Sequence, residues 1–107
     1  MVKFMILFRK AKDEAAFENR YNDFLALIER MPGIERRQVI NVLGSPLGEP
    51  RYYRVLEIYF VDMAQMEASL RSKAGQEAGG ELARRFPADT FEAMFAEVYE
   101  EAGGRTL

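Results

Sequence analysis

The 107-residue sequence contains no cysteine, no histidine and no tryptophan. Without cysteine, the chain cannot form disulfides, thiolate nucleophiles, or cysteine-ligated zinc and iron–sulfur sites. Without histidine, it lacks the usual general base near neutral pH and the commonest metal ligand. A Ser-His or Cys-His catalytic pair is excluded for the same reason. We therefore expect no cofactor, neither haem nor a tightly bound transition metal, while weak binding of magnesium or calcium through carboxylates stays open.

Neither sign of charge is in excess. Fifteen basic and 17 acidic residues give a net charge of −2. The chain therefore lacks the excess of basic residues that is typical of proteins that bind nucleic acid or an anionic membrane. No secretory signal pattern opens the chain, because its first apolar run is interrupted by Lys3 and followed by Arg9 and Lys10. These features predict a cytoplasmic protein that binds neither nucleic acid nor membrane.

The longest run rich in aromatic and β-branched residues extends from Arg51 to Val61 and predicts a strand. Side chains alternate across a sheet, so this strand presents two sets of residues to opposite faces. One set is Tyr52, Arg54, Leu56, Ile58 and Phe60, and the other is Tyr53, Val55, Glu57, Tyr59 and Val61. Both sets are largely apolar, which predicts a strand in mid-sheet with cover on each side.

The rest of the chain predicts three more strands and two helical regions. The strands are expected over 2–9, 34–43 and, after Pro87, up to Tyr99; the helical regions begin at the caps Asp13 and Asp62, and a loose tail follows over 100–107. The second helical region is expected to break and restart near Gly75. Strand, helix and strand thus occur twice in order, which predicts a single ferredoxin-like α+β domain over 1–107, with a four-stranded antiparallel sheet and helices on one face.

The order and spacing of several short segments resemble the EthD family of dimeric α+β barrel proteins. The segments are Arg9-Lys10 after the first strand, Met31 to Ile34, Val42 to Pro46 with Glu49-Pro50, Tyr52 to Phe60, and Ser72 with Gly75-Gln76. The resemblance implies a homodimer whose uncovered sheet faces pack together and enclose a small cavity on each sheet. It also implies a role that accompanies the oxidative degradation of ether compounds. Relatives of similar fold act as cofactor-independent monooxygenases, cyclases or haem-degrading enzymes.

The sequence differs from that family at a position where a histidine could take part in catalysis. Many family members carry a histidine in the first helix near the position of Phe24, and this chain has none. The histidine, asparagine and tryptophan set of haem-degrading relatives is missing as well. We therefore assign no catalytic residue. If the protein is an enzyme, the resemblance implies a cofactor-independent oxygenase or a cyclase- or isomerase-like activity.

Glu57 is the one acid in an otherwise apolar set of the central strand. A carboxylate there must find a partner, water or a proton, because an unpaired buried charge costs several kcal/mol. The more apolar set should meet the helices, so Glu57 is expected to face the enclosed cavity. Arg9, Arg37 and Lys3 are the expected partners of this carboxylate. The predicted ligand-binding residues are Glu57, Tyr53, Tyr59, Arg9 and Arg37.

Two function classes stay open, and the role in oxidative catabolism named in the first is what the family resemblance implies. The first is a dimer that binds a small hydrophobic or weakly polar molecule on the sheet face, as an accessory protein or cofactor-independent enzyme in oxidative catabolism. The second is a non-catalytic dimeric module whose sheet face is only an oligomer interface. A cavity of roughly a few hundred Å³ lined by Tyr53, Glu57 and Tyr59 would favour the first class. A face filled by the side chains of the partner would favour the second.

Overall fold

The computed structural model describes residues 1–100 as four strands and three helices. In chain order these are β1 (Val2–Arg9), α1 (Glu14–Ile28), β2 (Arg36–Asn41), β3 (Tyr52–Phe60), α2 (Met63–Arg71), α3 (Lys73–Arg85) and β4 (Phe91–Glu97). The predicted ferredoxin-like α+β class is confirmed. The tail expected over 100–107 lies, after Glu100, outside the described residues.

The four strands form one antiparallel sheet in the order β2-β3-β1-β4. β3 is therefore central, as predicted, and β2 lies at an edge. In this register Glu57 of β3 lies between Met5 of β1 and Gln38 of β2. Every residue of β3 from Arg54 to Phe60 is buried.

The hydrophobic core lies between the helices and one face of the sheet. The strands contribute Ile6, Phe8, Leu56, Ile58 and Phe60, and the helices contribute Phe17, Tyr21, Phe24, Ile28, Met66, Ala78 and Leu82. Phe24 is 1 % exposed and sits in this core. The opposite side, which we call the open face, carries Lys3, Met5, Leu7, Arg36, Gln38, Ile40, Val55, Glu57, Tyr59, Met94 and Ala96.

Side-chain caps define where the helices begin. Asp13 accepts a hydrogen bond from the Ala16 backbone N–H at 3.0 Å, and Asp62 accepts one from Gln65 at 2.9 Å. Each bond satisfies one of the amide groups left unpaired in the first turn, so both predicted caps are found. After α1 the chain turns at Gly33, whose φ of 78° favours glycine.

A bulge interrupts the pairing of β1 with β3. Phe8 lies opposite Arg54, but the next residue, Arg9, lies opposite Tyr52, so Tyr53 is an extra residue on β3. A bulge of this kind breaks the alternation of side chains. It therefore reverses the facing of the two residues at the start of β3.

The contacts of these two tyrosines follow from the bulge. Tyr53 donates a hydrogen bond to Glu18 of α1 at 2.8 Å, and its ring meets Phe17 edge-on, so it lies on the helix side. Tyr52 instead donates to Glu92 of β4. The predicted placement of Tyr53 beside Glu57 is therefore wrong, because strict alternation does not hold across the bulge.

The junction between α2 and α3 requires glycine at position 75. A Cβ on Gly75 would collide with the Ser69 carbonyl oxygen and lie 2.6 Å from that of Leu70. Both are backbone atoms of the neighbouring helix, so no side-chain rotation relieves the clash. The two helices can pack this closely only because Gly75 has no side chain.

Gly75→Ala should therefore lower the free energy of unfolding by about 2 kcal/mol or more, as overpacking does in other cores. Gly79→Ala, in the same helix and with no atom within 4 Å of its new Cβ, should raise it by up to about 1 kcal/mol. Urea unfolding of both variants measures the difference. Equal effects at the two positions would contradict the packing argument.

Candidate functional site

A polar cluster with Glu57 at its centre lies on the open face among apolar side chains. Glu57 is 6 % exposed. Its Oε2 lies 3.0 Å from the Lys3 ammonium, and the Tyr59 hydroxyl lies 3.0 Å from its Oε1. Both carboxylate oxygens thus have a donor within one chain. Of the expected partners, Lys3 is the one within reach.

Two residues of the edge strand β2 complete this cluster around Tyr59. The Tyr59 hydroxyl also lies 2.9 Å from the Gln38 side-chain oxygen. Because a phenol has one proton, it donates to either Gln38 or Glu57 at any moment. The Arg36 guanidinium carbon lies 4.2 Å from the centre of the Tyr59 ring, within the range of a cation–π contact. The phenol is therefore held at its hydroxyl and on its ring.

Arg9 and Arg37 do not join the cluster, although both were expected beside Glu57. Arg37 is paired with Ile58, so it points to the helix side, where it lies 3.2 Å from Glu29 at the C-cap of α1. Arg9 lies at the end of β1 and donates to the Asp89 carbonyl at 3.0 Å. The expectation fails for Arg37 because the register between β2 and β3 places Gln38, and not Arg37, opposite Glu57.

A second polar cluster lies on the helix side, around Arg54. Arg54 is 9 % exposed and binds Glu18 of α1 with both terminal nitrogens, at 2.7 and 2.8 Å. Its Nε donates to Asn41 of β2 at 2.7 Å, and its guanidinium carbon lies 4.6 Å from the centre of the Tyr21 ring. This two-pronged pairing is the geometry that guanidinium and carboxylate groups prefer. It ties α1 to the two strands beneath it.

The pairing shifts the acidity of each member. The hydrogen bonds from Arg54 lower the pKa of Glu18, and the same bonds raise the pKa of Arg54. The hydrogen bond to Glu18 raises the pKa of Tyr53. Burial raises the pKa of Tyr21 to about 12. At neutral pH the cluster thus holds one carboxylate, one guanidinium and two neutral phenols.

Neither Arg54 nor Glu18 was predicted from the sequence as a site residue. The signal was available for Arg54, because it is a charge within the more apolar set of β3, just as Glu57 is the charge of the other set. Glu18 carries no such signal. It looks like one of many polar residues on an amphipathic helix, and its contact with Arg54 joins positions 36 apart.

Within residues 1–100, Tyr53 and Glu57 lie on opposite sides of the sheet, so Tyr53, Glu57 and Tyr59 do not line one cavity, the arrangement that would have favoured the first function class. Tyr53 lines a cleft of about 240 Å³ at the start of β3, together with Tyr52, Lys10 and Glu14. Glu57 and Tyr59 face the other side of the sheet. The five predicted ligand-binding residues are therefore divided between two faces, and Glu57 with Tyr59 is the pair that the fold brings together.

Two further observations concern the described residues alone. Within residues 1–100, no group of three or more acidic side chains is close enough to hold a metal ion. Over the same range, no helix is long and apolar enough to cross a membrane.

The sheet order, the one-sided helix layer and the open face define a ferredoxin-like α+β protein. The structure is similar to that of an EthD family protein from Bacillus halodurans, with a TM-score of 0.87 and 28 % identity over 92 % of this chain and 99 % of that one. This likeness confirms the predicted EthD resemblance. No family model and no curated protein sequence matches the chain.

Two other solved structures share the fold at lower identity. One is a dimeric ferredoxin-like protein of unknown function from Jannaschia sp. CCS1, with a TM-score of 0.69, 20 % identity and coverage of 92 % of this chain and 100 % of that one. The other is SnoaB, a cofactor-independent oxygenase from Streptomyces nogalater, with a TM-score of 0.68, 18 % identity and coverage of 95 % and 96 %.

Glu18→Gln should destabilise the protein, because it leaves the buried Arg54 without its counter-ion. The Glu18 side chain is 36 % exposed, so we expect a loss of about 1–2 kcal/mol at pH 7 rather than the larger cost of a fully buried pair. The matched control is Glu29→Gln, an ion-pair partner of Arg37 that is 63 % exposed. It should change stability by less than about 0.5 kcal/mol.

The effect of Glu18→Gln should also depend on pH. Folding lowers the pKa of Glu18, so its contribution is complete above the ordinary value of 4.5 and is lost as the pH falls towards the folded-state value. Urea unfolding of wild type and variant should therefore give a difference that shrinks below about pH 4.5. A difference that stays constant down to pH 3 would contradict this assignment.

Proposed function

We propose that this protein is a homodimer joined through the open face. The helices cover one side of the sheet, while Met5, Leu7 and Val55 of the open face lie outside the core that the helices of residues 1–100 cover. An obligate interface that covers such a face should bury more than about 1,600 Å² in total. The Jannaschia protein of similar fold is described as dimeric, which supports the proposal.

The charge of the open face is compatible with burial between two copies. Glu57 and Lys3 neutralise each other at 3.0 Å, and the Tyr59 hydroxyl bonds the second carboxylate oxygen. A pair that enters an interface with its counter-ion and hydrogen bonds in place avoids the penalty of a lone buried charge. The cluster can therefore lie at the centre of the dimer.

We propose further that the dimer binds a small hydrophobic or weakly polar organic molecule beside Glu57. The observation that carries this is a buried carboxylate that faces away from the helices and is held in place by Lys3 and Tyr59. Such a fixed polar group in an apolar surface is typical of small-molecule sites. Glu57 and Tyr59 are the proposed ligand contacts, with an accessory or cofactor-independent enzymatic role in oxidative catabolism.

SnoaB offers limited support for this role. It shares the fold and is described as a cofactor-independent oxygenase, so the same architecture supports chemistry in at least one protein without a cofactor. At 18 % identity the likeness concerns the fold alone. The proposal for this chain therefore depends on Glu57 and its neighbours.

A non-catalytic dimeric module is the second candidate, and one observation favours it. Both oxygens of Glu57 already have donors from the same chain. A ligand would have to share or displace those bonds, whereas a partner subunit need only cover them. In this case Glu57 would be a structural ion-pair residue.

Native mass spectrometry of freshly purified protein tests the ligand directly, through a small molecule retained on the dimer. Glu57→Gln keeps the shape and removes the charge. If Glu57 contacts the ligand, the variant should lose the retained molecule while staying folded and dimeric. Retention equal to wild type would remove Glu57 from the site. Unfolding or dissociation of the variant would instead support the structural role.

Val55→Glu should weaken the dimer, because it adds a charge to the middle of the open face beside Glu57. Light scattering coupled to size exclusion should show a dimer mass for wild type at micromolar concentration and a shift towards monomer for the variant. Val39→Glu is the matched control, since Val39 lies on the edge strand, pairs with Leu56 and is 47 % exposed. A monomeric wild type, or equal effects of the two substitutions, would sink the proposed interface.

A further inference from the structure

A cleft on the helix side gathers three basic side chains over an apolar floor. It has a volume of about 400 Å³ and lies where the start of α1 meets the chain that follows α3. Phe17, Phe86 and Pro87 supply apolar surface. Lys10, Lys12 and Arg20 also line it, and we call this site the basic cleft. It is separate from the open face, and its role does not depend on the proposed dimer.

Positive charge exceeds negative charge in the basic cleft, with three basic residues and one acidic residue lining it. Among residues 1–100, neither lysine nor Arg20 forms an ion pair. The one acid lining the cleft is Asp13, and its carboxylate accepts the Ala16 backbone N–H at 3.0 Å as the cap of α1. The whole chain has a net charge of −2, so composition alone does not explain an excess of positive charge at one place.

Among the residues that line the basic cleft, Arg20 has a buried hydrogen-bond donor without an acceptor. Its Nε is buried, and within the described part of the chain no acceptor bonds it. Its guanidinium carbon lies 5.7 Å from the centre of the Phe86 ring, so the charged plane is held against an aromatic side chain. A buried donor without an acceptor is rare in native proteins, and Arg20, which carries it, is one of the residues that line the basic cleft.

We propose that the basic cleft binds a small organic anion with a flat apolar body, of the chemical class of aromatic carboxylates. The volume lies within the range of small-molecule sites, about 300–1,000 Å³. A carboxylate suits the planar guanidinium of Arg20, which can bond it with two nitrogens. The ring of such a ligand suits the floor made by Phe17 and Phe86, and the two lysines add attraction over a longer distance.

Sodium benzoate and its neutral analogue benzamide make a matched pair of probes. Titration of ¹⁵N-labelled protein should give saturable amide shifts for benzoate over residues 10–20 and 86–90. Benzamide has the same shape without the charge, so it should bind at least about fivefold more weakly. Equal affinities of the two probes, or benzoate shifts confined to other residues, would overturn the proposal, as would no saturable shift at all.

Substitution of Arg20 supplies the second test. Arg20→Gln should weaken the affinity for benzoate about tenfold and leave the affinity for benzamide unchanged. Arg20→Lys should recover part of the lost benzoate affinity, because lysine restores the charge without the planar pair of guanidinium donors. Arg30→Gln is the control, an exposed arginine just beyond α1 and away from the cleft. Benzoate affinity unchanged in Arg20→Gln would contradict the assignment.

A variant that keeps Arg20 covers the case in which Arg20→Gln fails to fold. Lys10 and Lys12 are exposed, so the double substitution Lys10→Gln with Lys12→Gln should leave the fold intact. It should weaken benzoate about threefold at low salt, and the loss should shrink at high salt, where surface charges are screened. Unchanged affinity at low salt would contradict the role of the cleft.

Discussion

The central strand β3 needs cover on both faces, and the arrangement of the molecule follows from that constraint. All residues from Arg54 to Phe60 are buried, yet the helices pack on one side of the sheet only. The helix side forms the core, in which Phe8, Leu56 and Phe60 are fully buried. On the other side, neighbouring strands of the same chain shield the side chains of β3 from water. Ile40 and Met94, on the strands at the two edges of the sheet, stay 39 % and 42 % exposed. The sheet therefore has one completed face and one that a second copy can complete.

Each face of β3 carries one charge, and each charge is matched by a neighbouring element. Arg54 receives Glu18 from α1, and Glu57 receives Lys3 from β1. The two positions are three residues apart, so alternation places them on opposite faces. Removing one member of a buried pair costs more than the pair contributes in net stability, which makes such pairs sensitive to register. We interpret the Arg54–Glu18 pair as fixing the position of α1 on the sheet. The Glu57–Lys3 pair fixes the register of β1 against β3 in the same way.

Sequence pattern predicted the fold well because periodicity reports which side of an element is apolar. The facing of Val55, Glu57 and Tyr59 followed from a period of two, and it failed at Tyr53 because a bulge adds one residue without changing the composition of the strand. The placement of Arg37 failed for a related reason. Cross-strand register is set by hydrogen bonding between β2 and β3, which periodicity within one strand does not report. The Glu18–Arg54 contact needs the position of α1 over the sheet, which is a tertiary property.

The two proposed sites differ in what they leave unsatisfied, and this difference separates the ligands they suit. On the open face, the Glu57 oxygens are already occupied, so an anion would meet a neutralised carboxylate and gain little. A hydrophobic or weakly polar molecule loses less water on entering and suits that surface better. In the basic cleft, the Arg20 Nε has no acceptor among the described residues and two lysines add to its charge. An anion gains there because three basic residues and one acid line the cleft, so charge rather than size decides which of the two sites a small molecule prefers.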